Sequence, residues 1–279
     1  MSSERGRVAV ITGAASGIGR GLAEYAAGLG LRLVLSDVDG PRLAALCGEL
    51  QARGAEAIAC LADVGDPAQV ERLRDVAVQR FGGVDLLFNN AGVMQTGNCW
   101  EISHEQWQRM LSVNLQGVIN GIRSFVPLLL EQGRPASVVN TASLAGLLSS
   151  PLMAPYNVSK QAVVALSETL HYELSLLQAQ VSVSVLCPGP VASEIMASNQ
   201  AADAASAQFS ELLDASIRQG MSPLELAELV FAAVREKRFW ILPHKFFKPA
   251  LQRRVQSILE ETNPVFQMIE IEGAHDAAR

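Results

Sequence analysis

Val8-Ala9-Val10-Ile11-Thr12-Gly13-Ala14-Ala15-Ser16-Gly17-Ile18-Gly19 runs from an apolar stretch directly into a glycine-rich turn. The first four residues have the continuous apolar character of a strand buried on both faces. From Ile18 to Leu29 the chain has helical length and spacing. Strand, glycine turn and helix N-terminus together bring backbone N–H groups and the positive end of a helix dipole to one point, where a pyrophosphate can bind. Glycine at 13, 17 and 19 leaves no side chain to block that approach. The spacing is Gly-x-x-x-Gly-x-Gly, and a glycine cluster alone is more often an ordinary turn. Asp37 strengthens the nucleotide reading, because it stands eighteen residues after Gly19 at the end of the second apolar run, where a ribose carboxylate belongs.

The same alternation continues outward. Leu31 to Ser36, Ala55 to Leu61, Val84 to Phe88, Ser137 to Thr141 and Val181 to Leu186 read as further buried strands. Between them, Pro41 to Arg53, Pro67 to Phe81, His104 to Glu131 and Tyr156 to Gln178 read as helices. Right-handed crossovers then give an α/β fold, a Rossmann-like doubly wound parallel sheet in a single domain. We place that domain at 1–243, with a helix at Pro223 to Arg235, a short strand at Trp240 to Leu242 and a C-terminal extension at 244–279. Residues 192–219 are rich in Ala and Ser, weakly periodic, and read as a substrate flap. The tail carries Lys245, Lys248, Arg253 and Arg254 among Phe246, Phe247, Leu251 and Val255, which reads as a solvated helix face packed on the domain.

Of 279 residues, 49% are hydrophobic and 18% charged, enough for a substantial core. A formal charge of −6 argues against a nucleic-acid partner. The chain starts without a signal-peptide pattern, and no segment reads as an integral membrane span. Cys47, Cys60, Cys99 and Cys187 are scattered without zinc or redox spacing, so a reducing, cytoplasmic setting is expected. His104, His171, His244 and His275 show no ligand spacing either, and no metal is expected.

Chemistry is clearest at Tyr156 and Lys160. Four residues apart on a helix, phenol and ammonium share one face. A free phenol has a pKa of about 10, and a neighbouring cation lowers it toward a useful base. Ser143 lies thirteen residues before Tyr156 at the end of a strand-like run and can join the same site. Asp37 would accept hydrogen bonds from the ribose hydroxyls of NAD and repel the extra phosphate of NADP. Ser16, Ser36 and Val38 add no positive charge nearby, so NAD is the expected cofactor.

With these residues in view, the chain resembles the short-chain dehydrogenase/reductase (SDR) family, Rossmann-fold oxidoreductases that use NAD(P). The resemblance covers about residues 6–243 and rests on Thr12 to Gly19, Asp63-Val64, Asn89-Asn90-Ala91-Gly92, Asn114, Ser143, Tyr156-Asn-Val-Ser-Lys160 and Pro188-Gly189, in the family's order. It implies a catalytic set of Asn114, Ser143, Tyr156 and Lys160. In that set Ser143 polarises the substrate oxygen, Tyr156 moves the proton, and Lys160 binds the nicotinamide ribose and depresses the tyrosine pKa. Asn114 holds a water through its helix backbone and links Lys160 to a proton relay. Gly13, Ser16, Gly17, Ile18 and Gly19 would take the pyrophosphate, Asp63 and Val64 the adenine, and Asn90, Ala91 and Gly92 the adenosine side. Pro188, Gly189 and Val191 would lie near the nicotinamide. Ser193 stands where the family commonly has threonine, keeping the hydroxyl without the methyl group.

Substrate selection in the family falls to variable loops, here Val93, Met94, Gln95, Leu144, Met153, Ile195 and Met196. Their apolar, flexible character points to a bulky, mainly apolar secondary alcohol or ketone. The alternatives are an NADPH-dependent carbonyl reductase and a noncatalytic nucleotide-binding regulator. The apolar surface of the helix beginning near Tyr156 exceeds one narrow stripe, and family members commonly associate there, so a homodimer or homotetramer is expected.

Overall fold

Val8–Thr12 forms strand β1, with all five residues buried. The computed structural model describes residues 4–197, 199 and 204–266, excepting the side chains of 204 and 205. Parts of the expected flap and tail, and His275, lie outside these residues. Arg32–Asp37 (β2), Ala57–Leu61 (β3), Leu86–Asn89 (β4), Ala136–Thr141 (β5), Val181–Leu186 (β6) and Trp240–Ile241 (β7) join β1 in a sheet ordered β3-β2-β1-β4-β5-β6-β7. Every neighbouring pair is parallel. The expected doubly wound, single-domain sheet is the fold of this chain. Its order reverses between β1 and β4, which opens a crevice at the carboxyl ends of the strands.

Successive strand side chains point to opposite faces, and both faces are covered. Ala9, Ile11, Leu33 and Leu35 pack with Leu22 and Ala26 of α1 (Gly17–Gly28) and with Leu226, Val230 and Phe231 of α8 (Pro223–Arg235). Val10, Val34 and Leu87 point the other way, against α3 (Pro67–Phe81), α5 (Gly117–Glu131) and α6 (Ala154–Leu176). Helix α2 (Gly40–Ala52) starts at the Asp39 cap, whose carboxylate accepts the Arg42 amide.

Two sequence expectations change, and a third, a helix in the tail, gains its bounds. The run from His104 to Glu131 is not one regular helix: α4 (His104–Leu111) leads into a π-helical turn, Ser112–Gln116, before α5 begins. The weakly periodic flap contains helix α7 (Ala204–Arg218). The tail forms α9 (Lys248–Leu259), none of whose residues is buried, yet Phe247 just before it is fully buried and anchors it. Small boundary shifts also matter: β2 extends through Asp37, which places that carboxylate at the crevice.

Gly21 of α1 lies against α8, where an added Cβ would stand 2.4 Å from the Pro223 carbonyl oxygen. Gly48 of α2 faces open space. Gly21→Ala should therefore destabilise the protein by about 1–3 kcal/mol through overpacking, whereas Gly48→Ala should stabilise it by about 0.5–1 kcal/mol through restored helix propensity. Denaturant unfolding of the two variants checks this opposition of sign.

Candidate active site

The glycine loop is built by close approach. Gly13 and Gly17 have φ of 64° and 48°, left-handed values that disfavour a side chain. A Cβ at Gly19 would come within 2.0 Å of the Gly13 carbonyl oxygen, so only glycine lets α1 leave β1 this tightly. Ser16 caps α1 without a side-chain bond to the first turn, and that turn holds no acidic residue. Its amides are thus left for an external anion. Asp37 accepts hydrogen bonds from Ala15 N at 2.9 Å and from Asp39 N at 3.0 Å, tying β2 to the loop. Across the switch point, Thr12 Oγ1 accepts from Asn90 N at 2.9 Å and Ala91 N at 3.1 Å, while Asn90 Nδ2 donates to Thr12 O at 3.0 Å. Thr12 thereby holds both sides of the crevice together, a role not visible from its place in a glycine motif. Asp63 turns back to accept from Gly65 N at 2.8 Å, and the Val64 carbonyl accepts from Asn120.

Ser143 caps the short helical turn Leu144–Gly146, its hydroxyl accepting from Ala145 N at 3.2 Å. Tyr156 and Lys160 lie in the first two turns of α6, both buried. Burial raises the Tyr156 pKa above the ordinary phenol value, and a hydrogen bond with the Ser143 side chain opposes the rise. Burial also pushes the Lys160 ammonium down to about 8, with the nearby Cys187 thiol opposing. Lys160 Nζ donates to Thr141 O at 2.8 Å and stands 5.7 Å from the Tyr156 ring centroid. Spacing along the chain reveals only the neighbouring cation; burial, the largest influence on Tyr156, acts in the opposite direction.

Asn114 is completely buried within the π turn. Its Oδ1 accepts from Val93 N at 2.8 Å, and its Nδ2 donates to Val93 O at 3.0 Å and Ser159 Oγ at 3.2 Å. The side chain is therefore engaged with protein, consistent with any relay contact passing through the main chain. A π turn is a frequent mark of a functional site and loosens local carbonyl pairing.

One cavity of about 2680 Å³ joins most of these groups, although Gly19 and Asn114 do not line it. Its wall includes Gly13, Ser16, Gly17, Ile18, Asp37, Asp63, Val64, Asn90, Ala91 and Gly92, together with Ser143, Tyr156, Lys160, Pro188, Gly189, Val191 and Ser193. Of the expected substrate contacts, Met94, Leu144, Met153 and Ile195 reach it. Gln95 and Met196 do not line it. Gln95 is buried with its amide donating to Thr96 O, and Met196 packs in the apolar cluster around Tyr156. Sequence reading missed Phe209, Leu213 and Ile217, which α7 contributes to the wall, because their weak periodicity concealed a helix. It also missed Arg42. The expectation of no basic residue near Asp37 is corrected, since Arg42 feels the Asp37 charge while pairing with Glu194 and Asp39. That contact crosses 152 positions of chain and has no local signal.

The short chain dehydrogenase family matches residues 7–204. The "CLA biosynthesis dehydrogenase/reductase" of Lactiplantibacillus plantarum is 31% identical over 280 residues, covering 95% of this chain and 97% of its own. The "1-deoxy-11-beta-hydroxypentalenate dehydrogenase" of Streptomyces exfoliatus is 38% identical over 237 residues, covering 84% and 82%. A solved short chain dehydrogenase/reductase from Burkholderia phymatum, in complex with NAD, superposes with a TM-score of 0.93 at 42% identity, covering 96% of this chain and 99% of that one.

The depressed Lys160 pKa has a stability consequence with a definite sign. Between about 8, the folded value, and 10.5, its ordinary value, the unfolded chain binds more protons at this residue. Stability therefore rises with pH through that window, by at most about 1.4 kcal/mol per pH unit. Relative to Lys160→Met, the cofactor-free wild type should gain unfolding free energy between pH 7.5 and 9.5. A pH-independent difference between the two would mean that the ammonium is solvated rather than buried.

Proposed function

The chain belongs to the short-chain dehydrogenase/reductase family, and we propose that it transfers hydride reversibly between NAD and a bulky, mainly apolar secondary alcohol or the corresponding ketone. The carrying observation is that Ser143, Tyr156 and Lys160 share one cavity with the glycine loop and Asp37. The Burkholderia phymatum relative in complex with NAD supports the cofactor.

A dinucleotide fits the residues present. The first turn of α1 offers uncommitted amides to the pyrophosphate, and a Cβ at Gly13 or Gly17 would come within 2.7 Å of Ala91 or 2.8 Å of Ser193. Asp37 would take the adenosine ribose, Asp63 and Val64 the adenine, and Asn90 to Gly92 the facing side. Arg42 could receive the 2′-phosphate of NADP only by leaving Glu194 and Asp39, so the site favours NAD over the NADPH alternative. When bound, the nicotinamide supplies the hydride acceptor for oxidation or the donor for reduction.

The chain's own residues handle the oxygen and proton. Ser143 holds the substrate oxygen beside the phenol. In oxidation Tyr156 takes the hydroxyl proton, and in reduction it gives one to the forming alkoxide. Because burial opposes tyrosinate, the Lys160 charge and the Ser143 hydrogen bond are what make the base accessible. Asn114, held in the π turn, would carry the proton relay from Lys160 toward solvent through its main chain. Met94, Met153, Phe209, Leu213 and Ile217 give the substrate side an adaptable apolar wall, which supports a bulky apolar body. Exposed Val158, Tyr172 and Leu176 on α6, with Leu177 just after it, support association as a homodimer or homotetramer, and four unpaired cysteines support a cytoplasmic setting.

Two variants test the reading. Tyr156→Phe should lower turnover of bulky secondary alcohols by about 10²–10⁴-fold while NAD affinity stays near wild type; retained turnover would remove Tyr156 from the chemistry, and wild type that binds NAD without turning over any alcohol or ketone would revive the noncatalytic alternative. Asp37→Ala should move the ratio of kcat/KM for NAD over NADP toward NADP, and unchanged selectivity would sink the ribose assignment.

A further inference from the structure

His244 follows β7, and its ring folds back beneath the Pro188-Gly189-Pro190 turn on the cavity wall. Nδ1 accepts a hydrogen bond from Gly189 N at 3.0 Å. The ring meets Phe246 edge-on, with centroids 5.7 Å apart, and Phe246 stands against buried Phe247. A Cβ on Gly189 would lie 3.2 Å from the imidazole and 3.3 Å from the Phe246 ring, so the turn rests flat on both.

The turn has an unusual shortage of donors. Pro188 and Pro190 carry no N–H, leaving Gly189 the single amide among the three residues. The two proline carbonyls are tied to other elements: Pro188 O accepts from Leu144 N at 2.8 Å, beside Ser143, and Pro190 O accepts from Met221 N at 3.1 Å. Three elements thus pin the turn, and His244 supplies the connection to the C-terminal segment.

We propose that His244 is a positioning residue whose neutral imidazole, by accepting the Gly189 amide, sets the turn against which the nicotinamide half of the dinucleotide binds. This rests on the NAD-dependent reading above. An Nδ1 acceptor requires the proton on Nε2. Protonating Nδ1 would set a donor against a donor and release the turn. Burial holds the His244 pKa below its ordinary 6.5, against a backbone hydrogen bond with Pro190 and the Glu225 carboxylate of α8, both of which favour the charged ring. Lys245, the adjacent cation, directs its ammonium to the Leu242 carbonyl at 2.6 Å. The tie therefore persists at neutral pH and is lost in acid.

The test uses the full chain, with His244→Phe removing the acceptor and His244→Asn restoring an oxygen near the Nδ1 position. Calorimetric binding of NAD is compared with binding of AMP, which probes the adenosine half alone, and deuterium exchange is followed in the peptide containing Gly189. His244→Phe should weaken NAD about tenfold, leave AMP within about twofold, and speed exchange at Gly189, while His244→Asn recovers most of the loss. Wild-type NAD affinity should fall as the pH drops below 6.5 with AMP affinity steady, and the Asn variant should lack that fall. Equal loss of NAD and AMP in His244→Phe, or NAD affinity indifferent to the substitution, overturns the positioning role. Wild type that binds neither NAD nor AMP overturns the cofactor reading itself, and the positioning role with it.

Discussion

A side chain at position 19 would place its Cβ 2.0 Å from the carbonyl oxygen of Gly13, so the departure of α1 from β1 depends on an atom that is missing. Much of the crevice follows from that close turn. It brings the N-terminus of α1 to the switch point, presents Ala15 N to Asp37, and leaves Thr12 where its hydroxyl can receive the amides of Asn90 and Ala91. Any larger residue at 19 would push helix from strand and disturb contacts arriving from β2 and β4 together. The nucleotide half of the cavity is thus set mainly by backbone geometry.

The catalytic end is governed by a conflict. Tyr156 and Lys160 are both buried, and burial penalises tyrosinate and ammonium alike. The charged pair is attractive where the separate charges are costly, so the useful state is the coupled one. Gly92 lies beside both groups: a Cβ there would stand at ordinary contact distance, 3.6 Å from Lys160 Nζ and 3.4 Å from Asn114 Oδ1.

The sheet and the placing of Tyr156 and Lys160 on one helix were legible in the sequence because their signals are local. Buried parallel strands such as Val8–Thr12 announce themselves by composition, and Tyr156 and Lys160 by a separation of one helical turn. What stayed hidden depends on contacts made far along the chain. No neighbour of Arg42 indicates Glu194, and nothing around His244 indicates Gly189. The π turn at Ser112–Gln116 escaped because apolar periodicity continues across a one-residue insertion almost undisturbed. The fate of Gln95 was unreadable for a related reason: facing the cavity or turning to Thr96 O costs no change in backbone pattern.

The two halves of the cavity differ in material as well as purpose. Around the glycine loop, glycines and main-chain amides define the surface, and few substitutions there leave the shape intact. Around the substrate space, Met94, Met110 and Met153 surround Tyr156 together with residues of α7. Thioether chains have several rotatable bonds and repack at small cost, so that wall can accept different apolar shapes without moving the sheet. On the function proposed above, the reaction class rests on the dinucleotide held by the backbone half together with Ser143, Tyr156 and Lys160, and the choice of substrate on side chains that can change while those three stay in place. This division explains why the glycine loop and the Tyr156–Lys160 pair are strong evidence of a hydride-transfer enzyme, whereas the flap residues define only a general shape and polarity for what it transforms.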